Sequence, residues 1–256
     1  MKSPVVIIGL GEMGGVFARG LLRRGHPIHP VTRDMDPDSV AQALPDPEMV
    51  LVAVAEKDLH STLDGLPAPW RERVALLQNE LLPRDWQAHG LEAPTVISVW
   101  FEKKPGQEFK VLIPSPVYGP HADLLLRALD SLGIPARKLA DPAELEYELV
   151  RKNVYILTTN IAGLVTGGTV QDLWQNHRPL ATRVAHEVMD IQATLVDGPL
   201  DRDRLLAGLV EGIEGDPEHQ CMGRSAPARL ERALRQADEA GIEVPELRRI
   251  AEDITN

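Results

Sequence analysis

Residues 5–15 read VVIIGLGEMGG, a short apolar run that ends in three glycines at the spacing Gly9, Gly11 and Gly14. The run is the pattern of a strand buried on both faces of a parallel sheet. The residues after it, MGGVFARGLLRR (13–24), place Val16, Phe17, Leu21 and Leu22 on one helical face, with Gly25 to end the helix. Strand, glycine turn and helix in that order form a dinucleotide-binding βα unit. Gly9 suits the tight turn, Gly11 lets a diphosphate approach the backbone, and Gly14 lets helix and strand pack closely. The first-turn residues Glu12 and Met13 offer backbone N–H groups to the phosphates, where the positive end of the helix dipole also points.

Working outward, the first half keeps this rhythm. HPIHPVTR (26–33) reads as a second strand, and its two prolines place it towards a sheet edge. MVLVAVA (49–55), RVALLQN (73–79) and TVISVWF (95–101) read as three more strands, with short helices in KDLHSTLDGL and LPRDWQAHGL between them. KVLIPSP (110–116) is a candidate extension of the sheet, followed by a helix in HADLLLRALDSLG and a strand in IPARKL. The alternation predicts right-handed crossovers and a doubly wound α/β sheet, the Rossmann arrangement. From about residue 141 strand signals stop. A long helical period runs to Gly167, and amphipathic stretches follow over 180–196, 201–213 and 225–240 and in PELRRIAEDI. The sequence therefore divides into an expected Rossmann domain over 1–140 and an all-helical domain over 141–256, the latter for substrate binding and dimerisation.

Composition narrows the function. Lys and Arg number 27 against 38 Asp and Glu, a net charge of −11, which opposes binding to nucleic acid or an anionic membrane. Cys221 is the single cysteine, so no internal disulfide forms, in keeping with a reducing cytoplasm. No apolar run nears the roughly 18 residues of a membrane span, and MKSPVV enters the first strand without the look of a leader. The eight histidines form no HxxxH or HxH pair, so no metal is expected.

An NAD-binding chain usually carries an acid at the end of its second strand for the ribose hydroxyls. Here Thr32 and Arg33 stand there, and a guanidinium pairs with a 2′-phosphate. The cofactor expected is NADP(H), with Asp34 and Asp36 the competing candidates for a ribose acid. In the helical half, ELVRKNVYILTTN puts Lys152 and Asn160 about 2.2 turns apart on one face. Val150, Val154, Ile156 and Leu157 around Lys152 would desolvate its ammonium and suit it to proton transfer near neutral pH.

These features together resemble the ketopantoate reductases and their paralogues. The resemblance implies that Lys152 is the general acid on a substrate carbonyl, that Asn160 positions substrate, and that Asn79 lies near the nicotinamide. It also marks departures. Ile156 stands where the family has an asparagine, Glu80 replaces a glycine after Asn79, and Ala55 holds the place of a lysine that here comes two residues later, as Lys57. Near the C-terminus, GIEVP matches, and counting back from it puts Ser225 in place of a glutamate. The implied activity is hydride transfer to a small, anionic keto acid or related carbonyl other than ketopantoate. In the loop HQCMGRS (219–225), His219, Arg224 and Ser225 are the candidate substrate-binding residues. A β-hydroxyacid or 6-phosphogluconate-type dehydrogenase and a non-catalytic NADP(H)-binding sensor are the alternatives. A homodimer is expected in either case.

Overall fold

The computed structural model describes residues 2–254, and its contacts separate two compact units, Met1–Leu149 and Val150–Asn256. The first opens with β1 (Val5–Ile8), α1 (Glu12–Arg23), β2 (Ile28–Val31), α2 (Pro37–Ala43) and β3 (Met49–Val52). A 3-10 turn (Glu56–Asp58) leads into α3 (Leu59–Asp64). A second (Ala68–Arg73) precedes β4 (Val74–Leu76), α4 (Pro83–Gln87) and β5 (Thr95–Ile97). Then come β6 (Phe101–Glu102), β7 (Lys110–Val111), β8 (Ser115–Tyr118), α5 (Ala122–Asp130) and β9 (Ala136–Lys138).

Seven strands make one sheet in the order β2-β1-β3-β4-β5-β8-β9. The first five are mutually parallel, and the order reverses between β1 and β3, the switch point where α/β sheets bind ligands. β2 lies at the edge, where its one proline, Pro30, leaves no ladder bond unmade. All residues of β1 and β3 are buried, the reason their sequences are apolar without alternation.

Three details depart from the sequence reading. TVISVWF is not one strand: β5 ends at Ile97, and Phe101–Glu102 pairs with Lys110–Val111 in a separate antiparallel hairpin. The extension of the main sheet is β8, which runs antiparallel to β5 while β9 runs parallel to β8, so the sheet is mixed at this end. Leu22 is 56% exposed, because α1 buries a narrower stripe, Val16, Phe17 and Leu21, against the sheet and α5.

The second unit is helical. α6 (Pro142–Thr166) contains the division between the units, and α7 (Val170–Asn176), α8 (Arg178–Ala193), α9 (Arg202–Gly215), α10 (Ala226–Ala240) and α11 (Pro245–Asp253) follow it. α7 is a helix the sequence reading passed over. It is seven residues long and begins on a capping box in which Thr169 and Asp172 each cap the other's backbone N–H. Among the described residues no helix is long and apolar enough to cross a membrane.

Candidate functional site

The glycine turn sits where parallel strand ends meet. Ile8, Val31 and Val52 are in register, Gly9 N–H donates to the Val31 carbonyl at 3.1 Å, and Ala53 N–H donates to the Ile8 carbonyl at 2.7 Å. Gly9 has φ +90°, a conformation that disfavours any Cβ, and a Cβ there would also lie 2.9 Å from the Ala53 carbonyl oxygen. A Cβ on Gly14 would fall well inside van der Waals contact of the Gly9 carbonyl oxygen. Gly11 differs, since a Cβ there would meet nothing within 4 Å. The space beside it is open, as a loop that receives a ligand against its backbone requires.

The start of α1 completes the cradle. Gly11 is its N-cap and gives no side-chain cap, and the first bond within the helix runs from Gly15 N–H to the Gly11 carbonyl at 2.8 Å. The N–H groups of Glu12, Met13 and Gly14 therefore have no acceptor inside the helix. Three amides at the positive end of a 12-residue helix fit a diphosphate in charge and donor type. Beside them lies an open groove of about 520 Å³, lined among others by Gly11, Glu12, Gly15, Arg19, Lys103 and Phe109.

Thr32 and Arg33 follow β2 directly, at the same carboxyl end of the parallel strands. The Arg33 side chain is 90% exposed, and its pairing with Asp58, at 3.7 Å, is too solvated to hold it in place. Asp36 is committed elsewhere. It caps α2, accepting from the Asp38 and Ser39 amides, and the Ser39 hydroxyl is the main reason its carboxyl lies below the usual range.

After β4 the sequence reading missed a residue. Gln78 is buried, and its amide donates to the Val52 carbonyl at 2.8 Å and to Val54 at 3.3 Å while accepting from Leu77 N–H. A polar side chain closing an apolar strand was the signal available. Gln78 pins the ends of β3 and β4 together and so fixes the turn that carries Asn79. In that turn Glu80 has φ +60° and is the single non-glycine residue with positive φ among those described. It stands where the family resemblance placed a glycine, and the backbone retains the glycine-type conformation.

In the second unit Lys152 is 7% exposed, and its neighbours Arg151 and Asn153 are buried as well. Arg151 donates from Nε to the Gly208 carbonyl at 3.3 Å and from Nη2 to Glu211 at 2.9 Å, and Asn153 donates to Gln192 at 2.9 Å. These bonds tie α6 to α9 and α8, with Lys152 between the two ties.

Asn160 also has a structural assignment. Its Nδ2 donates to the Cys221 carbonyl at 3.0 Å, and its Oδ1 accepts from Arg229 Nη1 at 2.7 Å. Both ends of the amide thus bond within the protein, and Asn160 cross-links α6, the loop before α10, and α10 itself. Helix rise separates it from Lys152 by about 12 Å along the axis. Arg229 was not foreseen, since on α10 it reads as one more charge of an amphipathic helix.

The 219–225 loop is stitched to the turn between α6 and α7. Val170 N–H donates to the His219 carbonyl, Cys221 N–H to Gly168, and the Cys221 thiol to Thr169. Burial, with the charge of Asp172 second, pushes that thiol up to about 11. His219 is half-buried and lies 3.7 Å from the buried carboxylate of Asp216. Arg224 and Ser225 are exposed, and Ser225 takes the N-cap position of α10 without a side-chain cap bond. Among the described residues no three His, Cys, Asp or Glu side chains are grouped to hold a metal.

No protein-family model matches the sequence, nor does any curated protein sequence. Solved structures do match along the whole chain. A 2-dehydropantoate 2-reductase from Methylococcus capsulatus aligns with a TM-score of 0.69 at 14% identity, covering 98% of this chain and 96% of that one. A dimeric ketopantoate reductase from Staphylococcus aureus aligns at 0.64 and 16%, covering 98% and 97%. D-mandelate dehydrogenase in complex with NADH aligns at 0.66 and 14%, again covering 98% and 97%. The likeness is one of fold: a mixed α/β unit with a parallel central sheet, followed by a helical region.

Proposed function

We infer that this chain, which has the fold of the ketopantoate reductases, is an NADP(H)-dependent oxidoreductase acting on a small anionic keto acid or related carbonyl. The observation that carries the reading is a coincidence at the carboxyl ends of two adjacent parallel strands. The open Gly11 turn with its uncapped helix amides follows β1 at the switch point of the sheet, and the exposed Arg33 follows the adjacent parallel strand β2. The amides of Glu12, Met13 and Gly14 hold the diphosphate, Arg33 and Thr32 hold the 2′-phosphate, and Asn79 orients the nicotinamide end.

When bound, NADPH supplies a hydride to a carbonyl carbon. Lys152 holds the proton that the reduced oxygen requires, and its burial makes a cation there effective against developing negative charge. Arg151 and Asn153 fix the helix that presents it. Arg224 and His219 attract the substrate carboxylate, and Ser225 adds a hydroxyl to the same loop. Ile156, half-buried on the Lys152 face, replaces a polar partner with an apolar one, so a substrate less hydroxylated than ketopantoate fits better. The protein is a homodimer in this reading, which the dimeric neighbour from Staphylococcus aureus supports.

Oxidation of NADPH in the presence of a panel of 2-keto acids, β-keto acids and imines tests the proposal. Turnover of at least one member is expected, with loss of about 100-fold or more in Lys152→Ala. Equal turnover by that variant would remove Lys152 from the chemistry. One observation favours a second reading, a non-catalytic NADP(H)-binding protein: the Asn160 amide is taken up by Arg229 and Cys221. Tight NADPH binding with no turnover across the panel selects it.

A further inference from the structure

Glu12 sets an electrostatic problem. It is the first residue of α1, and its carboxylate is drawn to the same positive helix end that would receive a diphosphate. An acid free to fold back over those amides would compete with the ligand and repel it.

The side chain is held by a residue 91 positions away in sequence. Lys103 Nζ donates to Glu12 Oε2 at 3.0 Å and to the Lys104 carbonyl at 2.8 Å. Lys103 directly follows β6, whose hairpin with β7 is docked on α1 through Phe101 and Phe17, with ring centroids 6.2 Å apart. The ammonium is thus fixed at two points, on a hairpin itself anchored to the helix that Glu12 opens. Lys103 and Glu12 both line the 520 Å³ groove that begins at Gly11. Glu12 is partly exposed, so without the ammonium its carboxylate would explore the helix end.

We propose that Lys103 is a positioning residue for the dinucleotide loop: it draws the Glu12 carboxylate to the hairpin and keeps the first-turn amides of α1 open for a diphosphate. The inference rests on the cofactor reading above. It makes the β6–β7 hairpin part of the cofactor site without contact to the cofactor, and it assigns Glu12 an inhibitory charge that Lys103 neutralises.

A double-mutant cycle read by NADPH binding, through tryptophan fluorescence or calorimetry, tests it without using activity. Lys103→Met should weaken binding roughly threefold to fivefold, the upper part of the range of an exposed pair. Glu12→Gln should bind at least as tightly as wild type, and the double variant should bind like Glu12→Gln. Lys103→Arg, which keeps the pairing, should bind like wild type and guards against a folding defect in Lys103→Met. If Lys103→Met is equally damaging in the Glu12→Gln background, the ammonium meets the phosphate itself and the positioning role is wrong. No effect of Lys103→Met, or weaker binding by Glu12→Gln, also overturns it. A wild-type protein that binds neither NADPH nor NADH overturns the cofactor reading and this inference together; binding without coupling overturns the inference alone.

Discussion

Arg229 donates to Asn160 Oδ1 at 2.7 Å while Asn160 Nδ2 reaches the Cys221 carbonyl at 3.0 Å, so one buried amide joins two helices and a loop 61 to 69 residues away in sequence. Asn160→Ala takes an acceptor from a buried guanidinium and a donor from a buried carbonyl. The expected cost is about 2 kcal/mol, a fall in melting temperature of about 4–8 °C. Asn160→Asp should cost less, because it keeps the acceptor for Arg229. Thermal denaturation followed by circular dichroism ranks the two, and Asn160→Ala melting with wild type would make the cross-link energetically idle.

The glycines of the turn should separate folding from binding. Gly14→Ala drives a methyl into the Gly9 carbonyl and should cost about 3 kcal/mol or more. Gly11→Ala meets nothing within 4 Å, so its stability should stay within about 1 kcal/mol of wild type while dinucleotide affinity falls at least about tenfold. Urea titration and a binding isotherm on each variant test the split, and tight binding by Gly11→Ala would contradict it.

Glu80 holds a left-handed backbone that costs a side-chain-bearing residue about 1 kcal/mol. Glu80→Gly should therefore raise the unfolding free energy by up to about that amount, against the usual loss for glycine substitutions. A lowered urea midpoint would mean that contacts of the Glu80 side chain outweigh the strain.

Cys221 links structure to pH. Its thiol is raised from 9.0 to about 11 in the folded protein, so folding favours the protonated form. That stabilisation is complete below about pH 9 and is lost as pH rises through about 11, up to about 2 kcal/mol. The stability of Cys221→Ala should fall less steeply over that interval. At pH 8 native protein should resist alkylation, since only about one thiol in a thousand is ionised, and should react on denaturation. Rapid alkylation of the native state would contradict the burial.

The strands and the glycine turn were legible because their signals are local. VVII and MVLV are apolar on both faces, and the turn glycines answer to atoms within the βα unit or on the adjoining strand end. TVISVWF misled because the apolar run continues through Val99 and Trp100, buried residues that lie between two strands of different sheets. The polar residues of α6 were legible as a group but not in their roles. The sequence cannot show that Asn153 bonds to Gln192 on α8 and Asn160 to Arg229 on α10, because those partners lie 39 and 69 residues away. Gln78 and Lys103 escaped for the same reason: their partners lie 24 to 91 residues away.

The central claim is most directly tested by comparing NADPH and NADH binding to wild type and Arg33→Ala by calorimetry. The account predicts that wild type binds NADPH at least about tenfold more tightly than NADH and that Arg33→Ala loses this preference while keeping its NADH affinity. NADH binding as tight as NADPH in wild type, or a preference unchanged in Arg33→Ala, would contradict it.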